Sequence, residues 1–144
     1  MRRKVRETAL QVLFQMDLRK KTVTDILSVF KVPSNWKEGD RTFFLSLVRG
    51  VEVNMAEIER VISSYSQEWP MYRMPTVDRN LLRIAVFEMF YLSDISVSVS
   101  INEAVELAKR YSTNDSGKFI NGILGQLSRN SEKEMSILKM NEGK

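Results

Sequence analysis

The stretch TNDSGKFINGIL, residues 113–124, places small polar residues and a lysine directly before an apolar helical pattern. Three kinds of chemistry fit such a helix start. It could be a loop that binds a nucleotide phosphate or an ordinary helix cap. It could also be a helix N-terminus that faces the phosphates of a partner, because the free amides of a first turn attract anions.

The nucleotide-loop interpretation fails on the spacing of the residues. A Walker-type loop requires the pattern G-x-x-x-x-G-K-[ST] after a strand. Here Phe119 follows Gly117 and Lys118, Ser112 stands where the first glycine belongs, and the preceding pattern is helical. The cap and the phosphate-facing helix start both remain open.

The cap interpretation rests on three adjacent side chains. Asn114, Asp115 or Ser116 can accept hydrogen bonds from the free amides of the next turn. The phosphate interpretation rests on the face opposite the apolar residue Ile120. On a wheel of about 100° per residue, that face carries two cations and two glycines: Lys118, Gly122, Gly125 and Arg129. Glycines allow close backbone approach, either of an RNA or of another packed helix.

A second basic site lies at the N-terminus, where four cations occur within six residues: Arg2, Arg3, Lys4 and Arg6. The helical pattern that follows places Phe14 away from the apolar stripe of Val5, Val12 and Met16. Cations with an aromatic ring on a non-core face suit single-stranded nucleic acid, because the cations neutralise phosphates and the ring stacks on a base. The alternative is that Phe14 packs under a neighbouring helix and the arginines are merely solvated.

The composition excludes several classes of active site. The 144 residues include no Cys and no His, so the usual zinc sites and the Ser–His and Cys–His nucleophile pairs cannot form. We therefore expect no catalytic residues, no metal and no cofactor. Lys and Arg number 22 against 18 for Asp and Glu, a modest net charge of +4 whose effect depends on clustering. With no signal-peptide or membrane-spanning pattern, we expect a cytoplasmic protein.

Helical periodicity dominates the chain and predicts an all-α fold. The segment QEWPMYRMP, residues 67–75, contains two prolines and separates helical subdomains at about 1–66 and 76–130. Each half is too small to stand alone, so we expect one domain over residues 1–130 with a shared core. We expect residues 131–144 to form a charged C-terminal tail.

Finer predictions concern particular helices. Residues 77–92 are apolar almost all round, which predicts a buried central helix. Gly50 predicts a bend or a split in the long pattern of residues 41–65. Ser100 and Glu103 match a capping box that opens the next helix. On the central helix, Asp78 is expected to form a salt-bridged face with two arginines, namely Arg79 and Arg83.

Three ordered blocks of the sequence resemble the NusB family. They are the arginine-rich start with Phe14, the stretch WPMYRMPTVDRNLLRIAVFE at 69–88, and INEAVELAKRYSTNDSGKFINGIL at 101–124. The resemblance implies about seven helices in two small bundles packed roughly perpendicular. It also implies a non-enzymatic transcription antitermination factor. Such a factor binds boxA RNA in ribosomal RNA operon leaders together with NusE, a small-subunit ribosomal protein, in the antitermination complex.

Carried over by position, the resemblance implies an RNA surface made of the start of the chain and the start of the last helix. Its residues would be Arg2, Arg3, Lys4, Arg6, Phe14, Asp115, Lys118, Phe119 and Asn121. Phe14 stands where some members have Tyr, and Gly117 replaces a larger polar residue of some members. Members occur as monomers or homodimers, and the sequence leaves that choice open.

Two other functions compete with RNA binding. The chain could be a helical protein–protein scaffold whose arginines meet an acidic partner without sequence-specific RNA binding. It could also be an enzyme that relies on carboxylates, although it offers no catalytic constellation. A salt titration separates the first from RNA binding, because phosphate contacts give a steep log–log slope.

Overall fold

The computed structural model describes residues 2–131 and Met135, and over these residues the fold is all-helical. The helices are α1 (Arg2–Arg19), α2 (Val23–Leu27), α3 (Glu38–Val53), α4 (Met55–Ser64), α5 (Thr76–Tyr91), α6 (Val97–Tyr111) and α7 (Asn114–Asn130). A short 3₁₀ helix, Met71–Arg73, lies between α4 and α5. The all-α prediction is confirmed. The predicted charged tail lies outside the described residues, apart from Ser131 and Met135.

The central helix is α5, as its sequence predicts. Every residue from Asn80 to Phe90 is buried. Helix α5 contacts three helices that precede it in the sequence, α1, α3 and α4, and the two that follow it, α6 and α7. One hydrophobic core therefore joins both groups of helices. Helices α6 and α7 pack against each other across a tight connection at Ser112 and Thr113. None of the described helices is both long and apolar enough to cross a bilayer.

The long pattern of residues 41–65 does split, but at Asn54 and not at Gly50. Helix α3 continues through Gly50 to Val53, and the Nδ2 of Asn54 donates to the Gly50 carbonyl at 2.8 Å. Gly50 instead permits close packing of α3 on α5, because a Cβ there would overlap the ring of Phe87. Gly50 is therefore needed for close packing between two helices, which the sequence pattern of one helix cannot predict.

The capping box predicted at Ser100 is wrong. Helix α6 begins at Val97, and the Ser96 hydroxyl accepts a hydrogen bond from the Val99 amide at 3.3 Å. Ser100 is buried in the first turn and donates to the Glu88 carboxylate at 2.8 Å. Both Ser96 and Ser100 are residues that commonly cap helices. Ser96 takes the cap position, and Ser100 instead hydrogen-bonds to Glu88.

The predicted salt-bridged face of α5 has different partners. Arg79 and Arg83 pair with Asp17 on α1, at 2.5 and 2.9 Å, and not with Asp78. Arg83 also reaches Glu59 on α4, at 2.5 Å. Burial by itself raises the pKa of the Asp17 carboxyl, but the hydrogen bond from Arg79 and the charge of Arg83 lower it below its ordinary value. This network therefore ties α1 and α4 to the central helix.

Candidate nucleic-acid interface

The N-terminal turn of α1 presents three exposed cations, each beside a carboxylate. The side chains of Arg2, Arg3 and Lys4 are 51%, 44% and 74% exposed. Their ion pairs are Arg2–Asp94 at 3.2 Å, Arg3–Glu103 at 2.8 Å and Lys4–Glu7 at 4.0 Å. These cations can reach a ligand from solvent, but their charge is partly compensated.

The fourth predicted cation, Arg6, lies in the interior. Its guanidinium donates to both carboxylate oxygens of Glu88, at 2.8 and 2.7 Å, and the two side chains are 3% and 1% exposed. The Ser100 hydroxyl donates to the same carboxylate, and Arg6 also lies over the ring of Phe43. Because its donors are committed inside the protein, Arg6 holds α1 on α5 in this conformation.

Phe14 is half-buried and lines a groove of about 360 Å³ between α1 and the end of α6. The groove is lined by Glu7, Leu10, Gln11, Phe14, Gln15, Val77 and Tyr111. Leu10 is buried at its base, whereas Tyr111 is 45% exposed. The groove thus carries two aromatic rings and the apolar side chains of Leu10 and Val77, a lining of the kind on which a base can stack.

The start of α7 is capped by a residue just before those expected. The Thr113 hydroxyl accepts a hydrogen bond from the Ser116 amide at 3.0 Å. Ser116 is buried, and its own hydroxyl donates to Asp78 on α5 at 2.8 Å. The cap interpretation of this stretch is therefore correct in kind, with Thr113 as the cap in place of Asn114, Asp115 or Ser116.

The cap accounts for only one side of α7. Asp115, Lys118, Asn121 and Gly122 are exposed, and nothing lies within 4 Å of a Cβ placed on Gly122. No described helix packs on this face near Gly122, so the helix-packing explanation of that glycine fails. Lys118 forms no ion pair with any residue that the structure describes. The face thus offers an uncompensated cation beside an open stretch of backbone.

Phe119 points to a second groove, on the other side of the α6–α7 connection. This cleft has a volume of about 830 Å³ and runs between α7 and the segment after α4. Phe119 and Tyr65 are half-buried in its wall, whereas Trp69 is 48% exposed. The cleft also borders Asp78, whose Oδ1 is buried without a hydrogen-bond partner among the described residues.

The two predicted segments, far apart in sequence, are brought to one region. The α1 groove is lined by Val77 and Tyr111 and the α7 cleft by Asp78 and Thr113, so both grooves include residues at the start of α5 and next to the α6–α7 connection. The α6 end is joined to α1 by a hydrogen bond of 2.7 Å from Arg110 to Glu7. The region therefore combines half-buried rings with the N-terminus of α7, and the exposed cations of α1 lie further along α1, beside Asp94 and Glu103.

A profile of the NusB family matches residues 3–129, which is nearly the whole described chain. The chain belongs to the NusB family of transcription antitermination factors.

The sequences of known NusB proteins align with this chain over almost their full length. The transcription antitermination protein NusB of Desulforamulus reducens is 46% identical over 139 residues, 95% of this chain and 96% of that protein. Among solved structures, T. maritima NusB has a TM-score of 0.83 at 35% identity and covers 90% of this chain and 91% of its own. The family is non-enzymatic.

A further solved structure contains partners. It is described as antitermination factors NusB and NusE in complex with dsRNA. Its matching chain is 25% identical, with a TM-score of 0.76, and the match covers 90% of this chain and 96% of that one.

Three aromatic residues that the sequence patterns do not single out line the two grooves of this NusB-family chain, namely Tyr65, Trp69 and Tyr111. Trp69 belongs to the block that resembles the family, and the two tyrosines fall at helix ends, where periodicity carries no signal. Among the described residues, no three carboxylates cluster as metal ligands.

Proposed function

We propose that this protein binds boxA-type RNA of ribosomal RNA operon leaders together with NusE, and so supports transcription of ribosomal RNA. The observation that carries the proposal is the similarity to a solved complex of NusB and NusE with dsRNA, which extends over nine-tenths of this chain. Because the chain belongs to the NusB family, we expect this RNA binding to act in transcription antitermination.

The exposed cations would supply affinity for the RNA backbone. Arg2, Arg3 and Lys4 extend into solvent from the first turn of α1, and Lys118 extends from the first turns of α7. Each phosphate neutralised by such a side chain releases counterions, which strengthens binding at low salt and weakens it at high salt. Arg6 would support this surface indirectly by fixing α1 against Glu88.

The rings and the short polar side chains would supply recognition of bases. Phe14 and Phe119 are half-buried, so each ring is held in place by packing while part of it stays accessible for stacking. Asp115 and Asn121 are exposed on α7 and carry groups that hydrogen-bond to the edges of unpaired bases. Single-stranded RNA suits this arrangement, because its bases are free to stack and to present their edges.

Binding of short labelled RNAs, followed by fluorescence anisotropy, tests the proposal. A boxA-type RNA and a scrambled RNA of equal length are titrated with the protein, with and without NusE. We expect the boxA-type RNA to bind more tightly than the scrambled one, and NusE to increase that preference. A protein that binds NusE but shows equal, weak affinity for both RNAs would support the scaffold function instead.

A further inference from the structure

Two carboxylates occupy the surface that the N-terminal cations share. Glu7 lies between Lys4, at 4.0 Å, and Arg110 on α6, at 2.7 Å. Glu103 on α6 accepts a hydrogen bond from Arg3 at 2.8 Å. The basic surface that the sequence predicts is therefore interleaved with acidic groups from α1 and α6.

The carboxylates are held more firmly than the cations. The side chains of Glu7 and Glu103 are 10% and 19% exposed, whereas those of Arg3 and Lys4 are 44% and 74% exposed. Packing thus fixes the two anions at the base of the surface, and the long cationic side chains extend past them. The hydrogen bond and charge of Glu103 also raise the pKa of the Arg3 guanidinium, as expected for a direct pair.

We infer that Glu7 and Glu103 restrain sequence-independent binding of RNA phosphates at this surface. A phosphate that approaches Arg3 or Lys4 must compete with a carboxylate already in place, and it is also repelled by that carboxylate. Binding to arbitrary RNA rests almost entirely on phosphate contacts, so the restraint acts on it directly. Glu103 does not line the Phe14 groove, so the stacking contacts of the proposed RNA site do not require its pair with Arg3; Glu7 does line that groove, which makes Glu103 the cleaner residue to test. This inference rests on the proposed function and names residues that set its selectivity.

The variant Glu103→Gln tests the restraint, because it keeps the shape and a hydrogen-bonding oxygen but removes the charge. Its matched control is Glu57→Gln, which removes a carboxylate from an exposed pair on α4. The primary readout is the Kd for the scrambled RNA at several salt concentrations. We expect a two- to fivefold lower Kd for Glu103→Gln, about the gain from no longer breaking an exposed ion pair. The salt slope should steepen by about 0.7, the value for one added phosphate contact on a single strand.

A double-mutant cycle separates this effect from a change in packing. In an Arg3→Gln background, the substitution Glu103→Gln should bring no gain, because the exposed cation that it releases is absent and its other partner, Arg6 at 3.8 Å, is buried. Glu7→Gln should behave like Glu103→Gln through Lys4 and Arg110. The free energy of unfolding of each variant is measured alongside, so that loss of structure is recognised.

The salt concentration at which each variant elutes from heparin, a polyanion without bases, tests the inference independently of the proposed function. If the wild-type protein showed no preference for the boxA-type RNA, the proposed function would fail, but both glutamine variants should still elute from heparin at higher salt than Glu57→Gln. The inference is overturned if Glu103→Gln and Glu7→Gln leave both the scrambled-RNA affinity and the heparin elution unchanged.

Discussion

The guanidinium of Arg6 donates two hydrogen bonds to the carboxylate of Glu88, at 2.8 and 2.7 Å, and both side chains are almost fully buried. This pair joins α1 to the central helix directly below the exposed cations. It separates Arg6 from Arg2, Arg3 and Lys4, which share its charge and its stretch of sequence. A buried pair of this kind is sensitive to loss of one partner, because the other remains charged and desolvated.

Arg6→Ala should destabilise the fold strongly. We expect the free energy of unfolding to fall by about 3–5 kcal/mol, the cost of leaving Glu88 buried and unpaired. Lys4→Ala is the matched control, and it should change stability by about 0.5 kcal/mol or less because Lys4 is exposed. Urea denaturation measures both variants. Equal, small changes in the two would show that the Arg6–Glu88 pair contributes little.

Phe14→Ala should affect RNA binding more than folding. If the ring stacks on a base, the RNA affinity should fall by about 1–3 kcal/mol. Because the ring is only half-buried, Phe14→Ala should lower the free energy of unfolding less than Leu13→Ala does. Leu13 is fully buried, and its change to Ala should cost about 2–5 kcal/mol. Phe14→Tyr should preserve RNA binding, since the hydroxyl reaches the groove. Anisotropy and urea denaturation are measured on each variant, and normal RNA binding by Phe14→Ala would remove this residue from the RNA surface.

Lys118→Glu should weaken RNA binding without unfolding the protein. The side chain is exposed and unpaired among the described residues, so stability should change by about 0.5 kcal/mol or less. The control Arg129→Glu introduces the same charge change on the same helix, 11 residues or about 16 Å further along. We expect a clearly smaller loss of RNA affinity for Arg129→Glu. Equal losses would point to general charge repulsion and not to a contact at the start of α7.

Asp17→Asn should reveal a pH-dependent contribution to stability. The pKa of the Asp17 carboxyl is lowered in the folded protein, so its stabilisation is present above the unfolded pKa of about 3.9 and is lost as the pH falls through the folded pKa. At neutral pH, we expect the variant to lose about 3 kcal/mol, because Arg79 and Arg83 lose their shared partner. The difference from wild type should shrink below about pH 4. Asp94→Asn, at an exposed pair, is the control, and a difference that stays constant with pH would contradict this explanation.

The helices were predictable from the sequence because the apolar residues that become buried recur with the period of a helix. The ends of α5 fall within one residue of the predicted range 77–92, and the nearly uniform apolar character of that range identified the central helix. The choice of partner for a charged residue was not predictable in this way. Periodicity says which face of a helix is buried, but it does not say that Arg6 meets Glu88 or that Arg79 meets Asp17, 82 and 62 residues away.

The candidate site was predictable only in part for the same reason. The exposed positions of Lys118 and Gly122 followed from the α7 pattern alone, and the structure agrees with them. The charge compensation by Glu7 and Glu103 depends on how α6 packs against α1, which no local pattern reports. The packing of α6 against α1 likewise brings Tyr111 into the groove that Phe14 lines, which no local pattern predicts.

Mapping of RNA contacts by NMR tests the central claim most directly. A ¹⁵N-labelled protein is titrated with a boxA-type RNA, and changes in amide chemical shifts are followed along the chain. We expect the largest changes near Arg3, Phe14, Lys118 and Asn121, within α1 and at the start of α7. Changes confined to the exposed surface of α3 and α4, around Val53, would contradict it.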